Sequence, residues 1–301
     1  MNKTNVPYTY PCNISGISYD NYIQIIQNSP TGVFNVTGQQ SPELRSATLR
    51  LLVIPFAIYT AWLLETFLLE GSMHTFERFD PPGIFMYTII ACIFTGIVAP
   101  LLYIRNTFIS GAVNMFQIGF RSLRYTFLAC VLTCSVGYGA VILFNPFGTD
   151  RFAFLNAFIL LLPGAIASVM ICWVLMGTHV QAFVRRGGAI LSISVGIMVT
   201  TVLFSIMTFA YFPAFLQQDV LFSSVIIGII AAIFFFAVRE VYATILVVAV
   251  CSVFTMADRI NPFYVQNAVP LVWMSAVLAV SALIGIHLYL SRNYMTLKIP
   301  I

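Results

Sequence analysis

The chain has 301 residues, of which 60% are hydrophobic and only 8% charged, with a formal net charge of +4. Soluble domains usually carry about 25% charged residues, so the solvent of this chain is mostly lipid. Its bases are scattered at the ends of apolar stretches, where headgroups would meet them; this excludes a nucleic-acid footprint and makes the lipid bilayer the first partner.

Residues 1–44 form a polar N-terminal arm ahead of a transmembrane domain over 45–301. No basic segment leads into an apolar one, so no cleavable signal peptide is expected. Three sequons, at Asn2, Asn13 and Asn35, are glycosylation acceptors if the arm is external. An Asn-rich, Ser/Thr-rich segment also produces sequons by chance.

Eight spans follow, at about 47–69, 83–104, 122–144, 152–177, 188–213, 219–238, 241–257 and 268–291, and predict an all-α polytopic transmembrane helical bundle. Near the outer end of the first, Glu65 stands about one turn before Glu70. It either faces a water-filled entry or reaches the interface. Between the second and third spans, Ser110, Asn114, Gln117 and Arg121 share one helical face, and Ile109, Val113, Phe116 and Phe120 another. This predicts an amphipathic helix lying in the interface.

In the third span the string Ser135-Val136-Gly137-Tyr138-Gly139 resembles the selectivity filter of potassium channels, whose carbonyls replace the hydration shell of the ion. The apolar run Ala140–Phe144 follows it directly, and the region reads as one continuous span rather than a re-entrant loop. The expectation is therefore close helix contact at Gly137 and Gly139. Cys130 and Cys134 lie on one face but lack further ligands nearby, so no metal site is expected, and no cofactor. Of six Cys, five fall in spans and Cys12 in the arm, which supports no disulfide framework.

Small residues recur every four positions on the next three spans: Gly164, Ser168 and Cys172; Gly188, Ser192 and Gly196; Ser224, Gly228 and Ala232. Such ladders let helix backbones approach closely in lipid, where apolar burial gives no driving force. The sixth and seventh spans come from one stretch, Val220 to Ala257, of 38 residues. It would run roughly 57 Å as a single helix, against a bilayer core of about 30 Å. Two spans joined at Arg239-Glu240 fit, and that pair is expected to be a solvated turn. In the last span His287 is placed well inside the membrane, where ionisable groups are functional candidates; a neutral His bonded to a neighbouring helix is the plain alternative.

With the N-terminus inside, 11 bases fall on the cytoplasmic side and 3 on the outer side. This predicts an integral membrane protein with both termini cytoplasmic. The first functional expectation is a non-catalytic subunit or scaffold of a membrane complex, packing against other membrane proteins or copies of itself. No catalytic cluster is seen. The alternative is a transporter or permease for an apolar or zwitterionic solute, its path lined by Glu65, Asn156 and His287 and by helices broken at Pro55, Pro100 and Pro163. A channel or a seven-span receptor ranks lower.

Overall fold

A computed structural model of the chain describes residues 42–71, 77–109, 115–144, 150–184, 188–211, 218–256 and 259–294. Cys12 and the three sequons of the arm lie outside the described residues, as do His74 and Arg185-Arg186. The described chain is helical throughout, as lipid requires of a backbone that must satisfy its own hydrogen bonds. Helix α1 runs Pro42–Thr66 and ends in a π-helical turn, Phe67–Gly71. Helix α2 comprises Pro81–Tyr87, a π-helical stretch Thr88–Val98, and Ala99–Ile109. After the single turn α3 (Met115–Ile118) comes α4 (Leu123–Phe144). Helix α5 comprises Arg151–Ser168, the π-helical Val169–Gly177, and Thr178–Val184. Then follow α6 (Ala189–Tyr211), α7 (Gln218–Val238), α8 (Val241–Met256), the short α9 (Pro262–Gln266) and α10 (Pro270–Tyr294).

Seven helices are long and apolar enough to cross a membrane, and α8 is a shorter apolar helix of 16 residues. They correspond one for one with the eight expected spans, although α2 and α5 run several residues further than expected. Of the expected interface helix, Ser110, Val113 and Asn114 lie outside the described residues, and the described part is corrected. Helix α2 continues to Ile109, α3 is only one turn, and Ile118, Gly119 and Phe120 tuck into the bundle rather than lying on it.

Successive crossings place the connections alternately at two ends. At one end lie Arg105, Arg121, Arg124, Arg239, Glu240 and Arg292; at the other lie Glu70, Asp80 and Asp150 with the α9 segment, alongside Arg78, Arg151 and Arg259. Three caps order the acidic end. Asp80 accepts from the Gly83 amide (3.2 Å) ahead of Pro81-Pro82, Asp150 from the Phe152 and Ala153 amides (2.9 and 3.1 Å), and Asn261 from the Phe263 amide (2.9 Å) ahead of Pro262. Each supplies a donor-satisfying acceptor, typically worth about 1 kcal/mol. Ties between segments add to this: the Asp80 amide donates to the Tyr264 hydroxyl (2.7 Å), and Asn261 Nδ2 to the Glu77 carbonyl (3.0 Å).

Helix α5 is the axis. Within its span 83% of the most apolar window is buried inside the chain, against 6% for α4. It packs against α1, α2, α6, α8 and α10. Close approach on this axis is made by missing side chains. A Cβ on Gly96 of α2 would lie 2.5 Å from the Ala167 Cβ, and one on Gly177 would lie 2.9 Å from a Thr200 methyl. Of the expected ladder positions, Gly164 faces the Tyr211 hydroxyl, Gly196 the Phe236 ring and Gly228 the Thr201 side chain. Ser168, Ser192, Ser224 and Ala232 are buried, whereas Gly188 is exposed at φ 101° with nothing near it. Helix α4 stands at the edge, in contact with α8; the string Ser135–Gly139 is continuous helix, with Gly137 against Val250 and open space at Gly139. The close contact expected at Gly139 is thus not made within the chain.

Candidate binding pocket and its two polar ends

The hairpin α7–α8 turns at Arg239-Glu240, as expected, but the turn is buried rather than solvated. Arg239 is 8% exposed and Glu240 0%. The cause is the segment between α3 and α4, which folds over the turn. The Val241 amide donates to the Gly119 carbonyl (3.1 Å), and Arg121 Nε donates to the Arg239 carbonyl (3.0 Å). Gly119 has φ 89°, a left-handed conformation costly for residues with a Cβ, and a Cβ there would also meet Phe235 at 3.1 Å. Arg239 itself takes φ 54° to make the turn, closing α7 through its amide to the Phe235 carbonyl (2.8 Å).

The guanidinium of Arg239 then donates to the Gln117 carbonyl (3.0 Å) and to Gln181 Oε1 (2.6 Å), with its Cζ 4.7 Å from the Phe236 ring centroid. Burial, with the neighbouring Arg121 charge second, pulls its pKa down to about 10, so it remains a cation near neutral pH. Glu240 Oε2 accepts from the Ala243 amide (2.5 Å) at the start of α8. Burial raises the Glu240 pKa, opposed by its hydrogen bonds and by Arg121. His287 belongs to the same end: its Nδ1 pairs with the Tyr242 hydroxyl and its Nε2 with the Arg121 carbonyl, each at 3.0 Å. His179, in the last segment of α5, is fully buried between the Leu175 carbonyl (2.6 Å) and the Thr107 hydroxyl (3.3 Å).

At the far end of the hairpin the arms enclose a pocket. The pocket is small and partly open and lies between α5, α6, α7 and α8; its roughly 560 Å³ of non-atom space includes the open solvent at its mouth. Among the described residues lining it, every polar side chain is a hydroxyl: Ser168, Thr208, Tyr211, Ser224, Ser252 and Thr255. Leu161, Phe204, Met207, Ile227 and Val248 supply most of the remaining wall. Ser168, Ala165 and Val248 are buried at its floor; Thr255, exposed, is at its mouth.

Tyr211 also connects the pocket to a buried acidic corner. Its hydroxyl is hydrogen-bonded to that of Tyr87, and the rings meet edge to face with centroids 5.9 Å apart. Gly164 makes room for the pair, since a Cβ there would lie 2.6 Å from the Tyr211 hydroxyl. Behind it the Phe67–Gly71 turn packs against the elements carrying both tyrosines, and Glu70, 1% exposed, lies within electrostatic range of both and of Cys92.

The three expected pathway residues are distributed rather than gathered. Asn156 donates from Nδ2 to the Val265 carbonyl (3.0 Å), strapping α5 to the α9 segment. Glu65 is half-buried on α1, its Oε2 enclosed without a hydrogen-bond partner. His287 stands at the opposite end, and none of the three lines the pocket. Tyr87, Tyr211, Arg121 and Arg239 were missed as site residues. For Tyr211 a signal existed: the Gly164 and Ser168 ladder marks a concave stretch of α5 that something bulky must fill. Among the described residues no group of three or more His, Cys, Asp or Glu could hold a metal ion. Comparison with protein families, with curated proteins and with solved structures gives no match in any of the three.

Proposed function

We propose that this chain is a non-catalytic subunit of a membrane assembly, held to its neighbour through α4, with its arginine end in the cytoplasm. The carrying observation is the outward face of α4. Tyr138 is 54% exposed, nearly two turns inside the helix, on a surface shared with Cys134 and Ser135. A phenol O–H in hydrocarbon without an acceptor costs roughly 1–3 kcal/mol by protein mutational data. A partner helix supplies that acceptor, and the small neighbours let it approach closely. The native mass spectrum of the chain extracted from its own membrane should show a species heavier than the 33.4 kDa chain. Tyr138→Phe should shift that species toward the single chain; single chains for both proteins would sink the subunit reading. The orientation is supported by the excess of arginines at one end, and protease access to the N-terminal arm in sealed vesicles tests it.

The pocket favours a second reading, a permease for an apolar or zwitterionic solute. Reconstituted chain should then carry such a solute across vesicle membranes. If His287→Ala and Glu65→Gln leave that flux unchanged, the two residues lie off the path.

A further inference from the structure

The pocket has a chemistry that the subunit reading does not use, and it stands independently of α4. Three of its six hydroxyls are turned away from the cavity as donors. Ser168 donates to the Ala165 carbonyl (3.0 Å), Thr208 to the Phe204 carbonyl (3.4 Å), and Thr255 to the Ser252 carbonyl (3.1 Å). Each proton is thus turned back into its own helix, and the oxygen lone pairs remain as acceptors beside the cavity. The complement of those three oxygens is an O–H or N–H carried by the occupant. The remaining wall is aliphatic, aromatic and thioether, which suits hydrocarbon. No charged side chain is among the described residues that line it, and an ionised head brought there would lose its hydration without a counter-charge. The flanking outer face of α7, with Phe222 and Ile226 exposed, is a lipid-facing surface, so an occupant already dissolved in the bilayer has a short way in.

We propose that the pocket between α5, α6, α7 and α8 is a binding site for an uncharged lipid with a hydroxyl head, of the diacylglycerol class. The head donates to the Ser168 and Thr208 oxygens near the floor, and the acyl chains run past Met207, Ile227 and Met256 toward the mouth and the bilayer.

The test uses the purified full chain in mild detergent, with dioctanoylglycerol as the probe and phosphatidic acid bearing the same two chains as its charged counterpart. Binding is read by native mass spectrometry and by thermal stabilisation. The glyceride should bind at least about tenfold more tightly than the phosphatidic acid. Ser252→Phe, which fills the cavity, should abolish binding. The double change Ser168→Ala with Thr208→Val keeps the volume and removes two acceptors; it should weaken binding roughly tenfold or more. If Ser252→Phe fails to fold, the double variant decides. Equal retention of the two lipids, or wild-type binding by a folded variant, overturns the proposal. So does tighter retention of octylammonium than of octanol, which would make the Glu70 corner a counter-charge for the pocket.

Discussion

The two ends of the α7–α8 hairpin are both polar and both partly enclosed, yet they are built to opposite ends. At the arginine end most polar groups are bonded to one another: Arg239 reaches Gln117 and Gln181, Arg121 and Tyr125 converge on the Val238 carbonyl, and His287 bridges Tyr242 and Arg121, while Glu240 Oε1 is enclosed without a hydrogen-bond partner. At the acidic end the hydroxyls surround space. The difference teaches that polarity inside a membrane protein does two separate jobs. Groups bonded to one another fix geometry, because releasing any one leaves the others unsatisfied in a poor solvent. Groups bonded only to their own helix leave room for something else.

Breaking the fixed end should cost most. Arg239→Ala strands the Gln117 carbonyl and Gln181 Oε1, and the loss of two charge-assisted bonds should lower stability by about 3 kcal/mol, read from unfolding in bicelles. A loss within about 0.5 kcal/mol would mean that the turn is not held by this side chain. At the open end the largest response comes from crowding. Gly164→Val drives a side chain into the Tyr211 hydroxyl, and overpacking of this kind should cost about 2 kcal/mol and release the Tyr87–Tyr211 pair. The tyrosine ultraviolet difference spectrum reports that release.

Two smaller changes sharpen the contrast. Asn156→Leu leaves the Val265 carbonyl unsatisfied, for about 1 kcal/mol, and should loosen the α9 strap without altering the arginine end. Hydrogen exchange of 262–266 against 117–121 separates those outcomes. Glu240→Gln acts through pH. Because burial raises the folded-state pKa of Glu240, its protonated form favours the fold at low pH, and that contribution is lost as pH rises through the raised value. The wild type should therefore lose stability over that rise, and Glu240→Gln, which keeps a cap for Ala243, should show a flatter profile. Equal slopes would remove Glu240 as the titrating group.

How much of this was legible in the chain depends on what each feature needs. Spans need only apolar length, and the seven long apolar helices and the shorter α8 are all visible in the sequence. The turn at Arg239-Glu240 was placed but taken for solvated, because two charges between apolar runs look the same whether water or another segment covers them. The covering segment has a moderately apolar pattern that fits an interface helix equally well. Which acid is buried was hidden for a different reason. The inward positions of α1 run Pro55, Tyr59, Trp62 and Thr66, and three- or four-residue spacing allows either Leu69 or Glu70 next. In the structure Leu69 stands at the margin and Glu70 inside, within the π-helical turn. Periodicity alone does not choose between the two. The pocket is half legible: Ser168 and Ser224 read as packing residues, and they do lie on facing helices, but with a gap between them.

In mechanical terms the hairpin is a lever with a riveted fulcrum. Ser224 is 14 residues from Val238, about 21 Å along the helix. A tilt of about 5° at the turn would carry it about 2 Å, enough to widen or close a cleft of side-chain size, while the bonds of Arg239 barely lengthen. The burial of that single arginine therefore fixes the pivot about which any such tilt would turn.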